Sequence, residues 1–77
     1  MYHTITPKSR FNKHPTICIY KGKEGGDSEQ ITVIECVGDS ISFPYCVNVP
    51  MLLKVCAYLT KHRQTFIDAG IKAACYF

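Results

Sequence analysis

The first half of the chain alternates between apolar segments that predict strands and polar stretches that predict turns. Residues 16–22 (TICIYKG) are β-branched and aromatic, and residues 31–37 (ITVIECV) have apolar residues on both faces, with Glu35 as the charged exception, which is typical of a central strand. The stretch KGKEGGDSEQ joins them and contains three glycines and mixed charge. It predicts a mobile hairpin loop, so the second segment is the return strand of a hairpin.

A third segment, residues 41–49, shows the cleanest alternation in the chain. Its apolar side chains share one face: Ile41, Phe43, Tyr45, Val47 and Val49. A period of two predicts a strand with one buried face, entered through a tight turn at Gly38 and Asp39. Pro44 cannot donate a ladder hydrogen bond, so we expect an edge strand or a bulge there.

The period changes at Val49-Pro50, and a helix is predicted over residues 51–69. Proline fits a first helical turn, and Asn48 is a candidate cap. The stripe expected to face the sheet consists of Leu52, Val55, Cys56, Leu59, Phe66 and Ile67. Gly70 is the expected left-handed stop, and the alternation of residues 71–77 predicts a last strand.

Residues 1–15 have no sustained period and contain Pro7 and Pro15, so we interpret them as a basic N-terminal arm with a short edge strand at residues 3–6. Residues 16–77 then form one α+β domain of β-β-β-α-β order, a small antiparallel-rich sheet with one helix packed across one face. At this size only about 60% of the unfolded surface becomes buried. A homodimer through an open strand edge is therefore an alternative.

Composition indicates a globular chain, with 47% hydrophobic and 19% charged residues. The longest uncharged stretch, residues 40–53, has 14 residues and two prolines. It is shorter than the roughly 20 apolar residues that cross a bilayer, so no membrane partner or membrane helix is expected. The first residues contain no continuous apolar segment of the kind a secretory signal needs, and we take the cytoplasm as the default location.

The five cysteines are an odd number and contain no C-x-x-C pair. Each lies in an apolar neighbourhood, which favours free, buried thiols over disulfides or a metal site. The cysteines are at positions 18, 36, 46, 56 and 75.

Charge is segregated along the chain. The formal charge is +5 over residues 1–23, −5 over residues 24–39 and +3 over the remainder, for a net charge of +3. Local fields are therefore expected to matter more than the total, and the net charge argues against mimicry of DNA.

No arrangement typical of catalysis or of a cofactor stands out. The glycine-rich residues 22–26 lack the spacing of a phosphate-binding loop. The cysteines fall in strand patterns or, for Cys56, on the apolar stripe of the helix, away from an activating base. We therefore predict no catalytic residue, no cofactor and no metal ligand.

The sequence-based hypothesis is a small non-enzymatic protein-binding module, for example a phage or mobile-element accessory factor that inhibits or adapts a host protein complex. The residues expected to contact the partner are Lys8, Arg10, Phe11, Lys13, Lys54, Tyr58 and Lys61. Tyr45 and Tyr76 are further aromatic anchors to consider. The alternative is a nucleic-acid-binding protein, in which the cations of the N-terminal segment contact phosphates and its rings stack on bases.

Overall fold

The computed structural model describes all 77 residues and contains four strands, two α-helices and a C-terminal 3₁₀ helix. The four strands form one antiparallel sheet in the order β1-β2-β3-β4. The α+β class is thereby confirmed. The elements are β1 (Tyr2–Thr6), β2 (Thr16–Gly22), β3 (Ser28–Val37), β4 (Ser40–Ser42), α1 (Val49–Lys61), α2 (Arg63–Asp68) and the 3₁₀ helix (Lys72–Tyr76).

The expected edge strand near the N-terminus is present as β1. It pairs with β2 over its whole length, with His3 opposite Ile19 and Ile5 opposite Ile17. Residues 2–6 therefore belong to the sheet, and residues 7–15 form the connection to β2. The central hairpin of β2 and β3 and the turn at Gly38, whose φ is 57°, also agree with the sequence pattern.

The third predicted strand is much shorter than its alternation suggests. Strand β4 covers only Ser40–Ser42, and the prediction of a strand through residue 49 is wrong. Pro44 has no amide proton to continue the ladder, and beyond it Tyr45 is 65% exposed. Val49, assigned to the strand face, is instead the first residue of α1.

Helix α1 begins as predicted, because the side chain of Asn48 accepts a hydrogen bond from the Met51 amide at 2.9 Å and Pro50 lies in the first turn. The helix predicted through residue 69 is interrupted at His62, whose φ of −106° and ψ of 22° separate α1 from α2. The ring of His62 packs against Tyr58 and faces His3 of β1. This contact joins different elements, so helical periodicity does not reveal it.

The predicted terminal strand is wrong, because residues 72–76 form a 3₁₀ helix. Ile71, Ala74 and Phe77 share its inner side, a spacing of three that replaces the expected spacing of two. Alanine is also depleted in strands. Gly70, with a φ of 85°, ends α2 as expected and turns the chain into this segment.

The core lies between one face of the sheet and the helices. Its nine buried members are Ile17, Ile19, Ile34, Cys36, Val55, Leu59, Phe66, Ile71 and Ala74. No helix or strand packs on the opposite face of the sheet, where the rings of Tyr2 and Tyr20 stack at 5.0 Å. None of the helices combines the length and the apolar character that a bilayer crossing requires.

Candidate functional site

The sequence-predicted contact residues fall into two separate regions. Four lie in the β1–β2 loop, and three lie on α1. No hydrogen bond, ion pair or ring contact joins the two regions. The loop residues are Lys8, Arg10, Phe11 and Lys13, and the helix residues are Lys54, Tyr58 and Lys61.

The β1–β2 loop is folded on itself and presents a ring to solvent. Ser9 and Asn12 exchange backbone hydrogen bonds of 2.8 and 3.3 Å, which close the loop tip. Phe11 at this tip is 92% exposed, and the Arg10 guanidinium lies 5.7 Å from the centre of its ring. With Lys8 and Lys13 also exposed, the loop combines a ring with three cations.

Tyr58 is half-buried and bonded within the protein. Its hydroxyl lies 2.6 Å from Nδ1 of His3, and its ring centre lies 4.4 Å from that of His62. Burial raises the pKa of Tyr58 above its usual value. Tyr58 therefore joins β1 to α1 through its hydroxyl and is only partly exposed, whereas Lys54 and Lys61 beside it are exposed.

His3 is surrounded by the other members of this ring cluster. Its ring centre lies 4.6 Å from Phe66 and 6.4 Å from His62. The pKa of His3 is lowered, chiefly by burial and then by the neighbouring His62, against a smaller opposing effect of Glu24. The cluster contains two imidazoles, and no group of three or more His, Cys, Asp or Glu side chains comes together anywhere in the protein.

An apolar stripe runs along the outer side of α1, and sequence reasoning missed it. Val49 and Leu53 are 66% and 65% exposed, and Cys56, Ala57 and Thr60 are also exposed. At 100° per residue these five positions lie on one side of the helix, turned away from the buried Val55, and Cys56 borders the buried Leu59. A helical wheel would have separated Leu53 from the buried stripe, but only the packing shows that no other element covers it.

The stripe continues into a groove of about 210 Å³ between α1, β4 and the C-terminal segment. Cys56 and Thr60 belong to both, so the stripe and the groove are continuous. We call the two together the α1 surface. The groove is lined by Ile41, Cys56, Leu59, Thr60, Tyr76 and Phe77.

The C-terminal side of this groove is held by polar contacts. The Arg63 guanidinium donates a hydrogen bond to the carbonyl oxygen of Phe77, and the ring of Phe77 lies 5.7 Å from that of Phe66. Lys72 and Asp39 form the only ion pair of the protein, at 3.8 Å. Tyr76, at 72% exposure, is therefore presented by a fixed segment.

The thiols differ from expectation in their burial. All five cysteines are free, but only Cys36 is buried, and Cys46, Cys56 and Cys75 are exposed. The prediction that all the thiols fill the interior is therefore wrong. Cys46 and Cys75 lie in segments that were predicted as strands but do not form them, and Cys56 lies on a part of α1 that does not face the core. Burial raises the pKa of the Cys36 thiol to about 11.

A second cavity, of about 240 Å³, lies at the N-terminus of α1. Its lining includes the thiol of Cys46 together with Lys21 and Glu29, but no histidine. The lining therefore places a cation and a carboxylate near this cysteine, but it contains no imidazole, the base with which a cysteine nucleophile is most often paired.

Comparison of the chain with protein-family models, with curated proteins and with solved structures finds no match.

Proposed function

We propose that this protein is a small non-enzymatic module that binds another protein through its α1 surface. The observation that carries the proposal is the continuity of the exposed apolar stripe with the groove beside Tyr76. Contiguous exposed apolar surface is typical of interaction sites. Interface energy concentrates in aromatic anchors that lie in or beside such pockets.

The total exposed area supports the same proposal. The protein exposes 5352 Å², whereas a folded monomer of 8.7 kDa is expected to expose roughly 4,700 Å². The excess, roughly 600 Å², approaches the ~800 Å² that each partner buries in a standard interface.

The biological setting of this binding is part of the proposal. We include in the proposal that the protein occupies part of a larger protein's surface, as a phage or mobile-element factor does when it inhibits or adapts a host complex. The charge blocks of the sequence would steer such docking. The reducing cytoplasm is compatible with five free thiols.

The experiment is affinity capture from lysate of the source cells, with and without nuclease, using the wild-type protein and the Leu53→Asp variant. We expect a protein partner that is retained after nuclease treatment and lost with Leu53→Asp, because a carboxylate at this exposed position opposes burial of the stripe. Phe11→Asp is the matched control and is expected to retain the partner. Capture that is unaffected by Leu53→Asp would overturn the proposal.

The β1–β2 loop supports a second candidate function, nucleic-acid binding. Its exposed Phe11 ring and three neighbouring cations match the combination that contacts bases and phosphates. The test is binding of single- and double-stranded oligonucleotides at low salt. Binding that falls steeply with salt and is lost in the Lys8→Glu/Arg10→Glu variant would support it. Binding that this double variant leaves unchanged would exclude the loop as the site.

A further inference from the structure

The α1 surface is bordered by positive charge that has no acidic partner within the protein. Lys54 and Lys61 follow the stripe along one side, because they lie next to Ala57 on the helical wheel. Neither takes part in an ion pair. Helix α1 contains no acidic residue, so nothing in the helix offsets this charge.

All six acidic residues of the protein lie outside α1. Asp39 pairs with Lys72, and Asp68 accepts a hydrogen bond from Gln64 at 2.8 Å. Glu35 lies on β3 opposite Thr16, on the sheet face away from the helices. The other three lie at the β2–β3 hairpin end of the sheet: Glu24, Asp27 and Glu29.

This charge pattern argues against a second copy as the occupant. An antiparallel two-fold contact between α1 and its copy would place Lys54 and Lys61 of both chains along the same side of the stripe, with no acid on either helix to oppose them. Repulsion between like charges across an interface would disfavour this contact between two copies. An occupant with carboxylates at the edge of its contact face would instead find both lysines unpaired.

The shape of the surface favours a helix over an added strand. Strand β4, which borders the groove, has only three residues and is soon followed by Pro44, so it offers little edge for backbone pairing. The stripe from Val49 to Thr60 is about 16 Å long by helical rise. Apolar side chains one helical turn apart on a partner helix fit such a length.

We propose that the α1 surface binds an acidic amphipathic helix of a partner protein. Its apolar side chains pack on Leu53 and into the groove beside Tyr76, and its carboxylates face Lys54 and Lys61. This inference rests on the proposed protein-binding function and specifies the chemistry of the partner.

The probe is a fluorescently labelled helical peptide of about 15 residues. It carries leucines at i, i+4, i+7 and i+11 and glutamates at the flanking positions. The matched peptide replaces every glutamate with lysine. We expect the wild-type protein to bind the glutamate peptide about tenfold more tightly in fluorescence anisotropy, because two exposed ion pairs replace two repulsions. The Lys54→Glu/Lys61→Glu variant is expected to reverse this preference.

Two variants locate the site. Leu53→Asp is expected to weaken binding of the glutamate peptide by at least about tenfold, because it introduces a carboxylate into the apolar contact. Val49→Asp is the second variant. Aspartate in the first turn favours the helix, so this protein is expected to remain folded while it binds the peptide more weakly. Circular dichroism confirms the fold of each variant.

The protein's own thiols provide a footprint. Cys56 lies in the α1 surface, whereas Cys46 lines the separate cavity at the start of α1. We expect the glutamate peptide to slow alkylation of Cys56 by iodoacetamide and to leave Cys46 unchanged, as measured by mass spectrometry. Equal protection of both thiols would contradict binding at this site.

Failure of this inference is distinct from failure of the proposed function. If neither peptide is preferred, or if the charge reversal has no effect, the acidic helix is excluded, while a captured protein that is lost with Leu53→Asp still supports protein binding. A homodimer in analytical ultracentrifugation that Leu53→Asp dissociates would show that a second copy occupies the surface and would overturn the inference. If the wild-type protein binds neither peptide and captures no protein, both proposals are wrong.

Discussion

At the scale of single residues, the contact between Tyr58 and His3 has the clearest structural role. It joins the first strand to the main helix across 55 positions of sequence, with an O–N distance of 2.6 Å. The two residues occur in segments whose patterns give no indication that they meet. Such a contact depends on how the elements pack, so the sequence alone did not reveal it.

The first prediction concerns this hydrogen bond. Tyr58→Phe removes the hydroxyl and leaves Nδ1 of His3 without its partner, so we expect the free energy of unfolding to fall by about 1 kcal/mol. Urea denaturation monitored by circular dichroism measures the change. Tyr45→Phe is the control. Tyr45 is 65% exposed, so loss of its hydroxyl is expected to leave the free energy of unfolding almost unchanged.

The second prediction concerns pH. The pKa of His3 in the folded protein lies below its ordinary value of 6.5, because of burial and the nearby His62. Well above pH 6.5, His3 is neutral in both the folded and the unfolded protein, so its titration does not lower the free energy of unfolding. As the pH falls below 6.5, the unfolded chain binds the proton first, so the free energy of unfolding decreases until the folded state is protonated as well. Tyr58 and Glu24 are the other titratable groups near His3.

The measurement is the free energy of unfolding from neutral pH to about pH 5 in wild type and in His3→Gln. We expect the decrease on acidification to be smaller in the variant, because its side chain does not titrate. His14→Gln serves as the control and should retain the wild-type slope. An identical slope in all three proteins would rule out His3 as the source.

At the scale of elements, the sequence predicted the segments whose local chemistry agrees with their final environment. The central hairpin, the glycine turn at residue 38 and the start of α1 all depend on neighbouring residues. At the end of β4 and in the C-terminal 3₁₀ helix, two local signals disagree. Alternation over residues 41–49 and 71–77 was present in the sequence, but Pro44 and the paired alanines at 73 and 74 outweighed it.

The third prediction tests the start of α1. Asn48→Ala removes the side-chain acceptor of the Met51 amide, so the free energy of unfolding is expected to fall by about 1 kcal/mol. Asn48→Asp keeps an acceptor there and adds a favourable charge at the helix N-terminus, so it should match or exceed wild type. Thermal unfolding of the three proteins provides the comparison. An unchanged stability in Asn48→Ala would show that the cap contributes nothing.

At the scale of the whole molecule, the small core limits stability. Only 11 of the 77 residues are buried. Phe66 is the largest fully buried side chain and contacts the rings of His3 and Phe77. It connects β1, α2 and the C-terminal segment, so a change there reaches three parts of the fold.

The fourth prediction follows from this position. Phe66→Ala is expected to cost about 3–5 kcal/mol, a large part of the roughly 4–12 kcal/mol typical of a domain of this length. We expect a strongly lowered midpoint of urea unfolding. Phe11→Ala, which changes a ring that is 92% exposed, should stay within about 0.5 kcal/mol of wild type. Similar midpoints for the two variants would contradict the assigned role of Phe66.

The candidate site was only partly predictable from the sequence, because it depends on how α1 is oriented on the sheet. Sequence reasoning selected α1 and its two lysines, but it placed Cys56 in the core and Tyr58 on the contact face. The helical period states which residues share a side. It does not state how far the helix is rotated on the sheet, and that rotation exposes Leu53 and leaves Tyr58 half-buried.

The position of Phe77 determines where an affinity handle can be attached. Phe77 lines the groove and is bonded to Arg63, so any chain fused behind it leaves from the groove wall and competes with a binding partner. The hairpin loop at residues 23–27 is a better insertion point. This loop adjoins Ser28 at the start of β3, and Cys36 near the other end of β3 pairs with Ile41 of the groove. Eight residues of extended strand separate Ser28 from Cys36 by about 26 Å, so a handle inserted in the loop lies far from the groove.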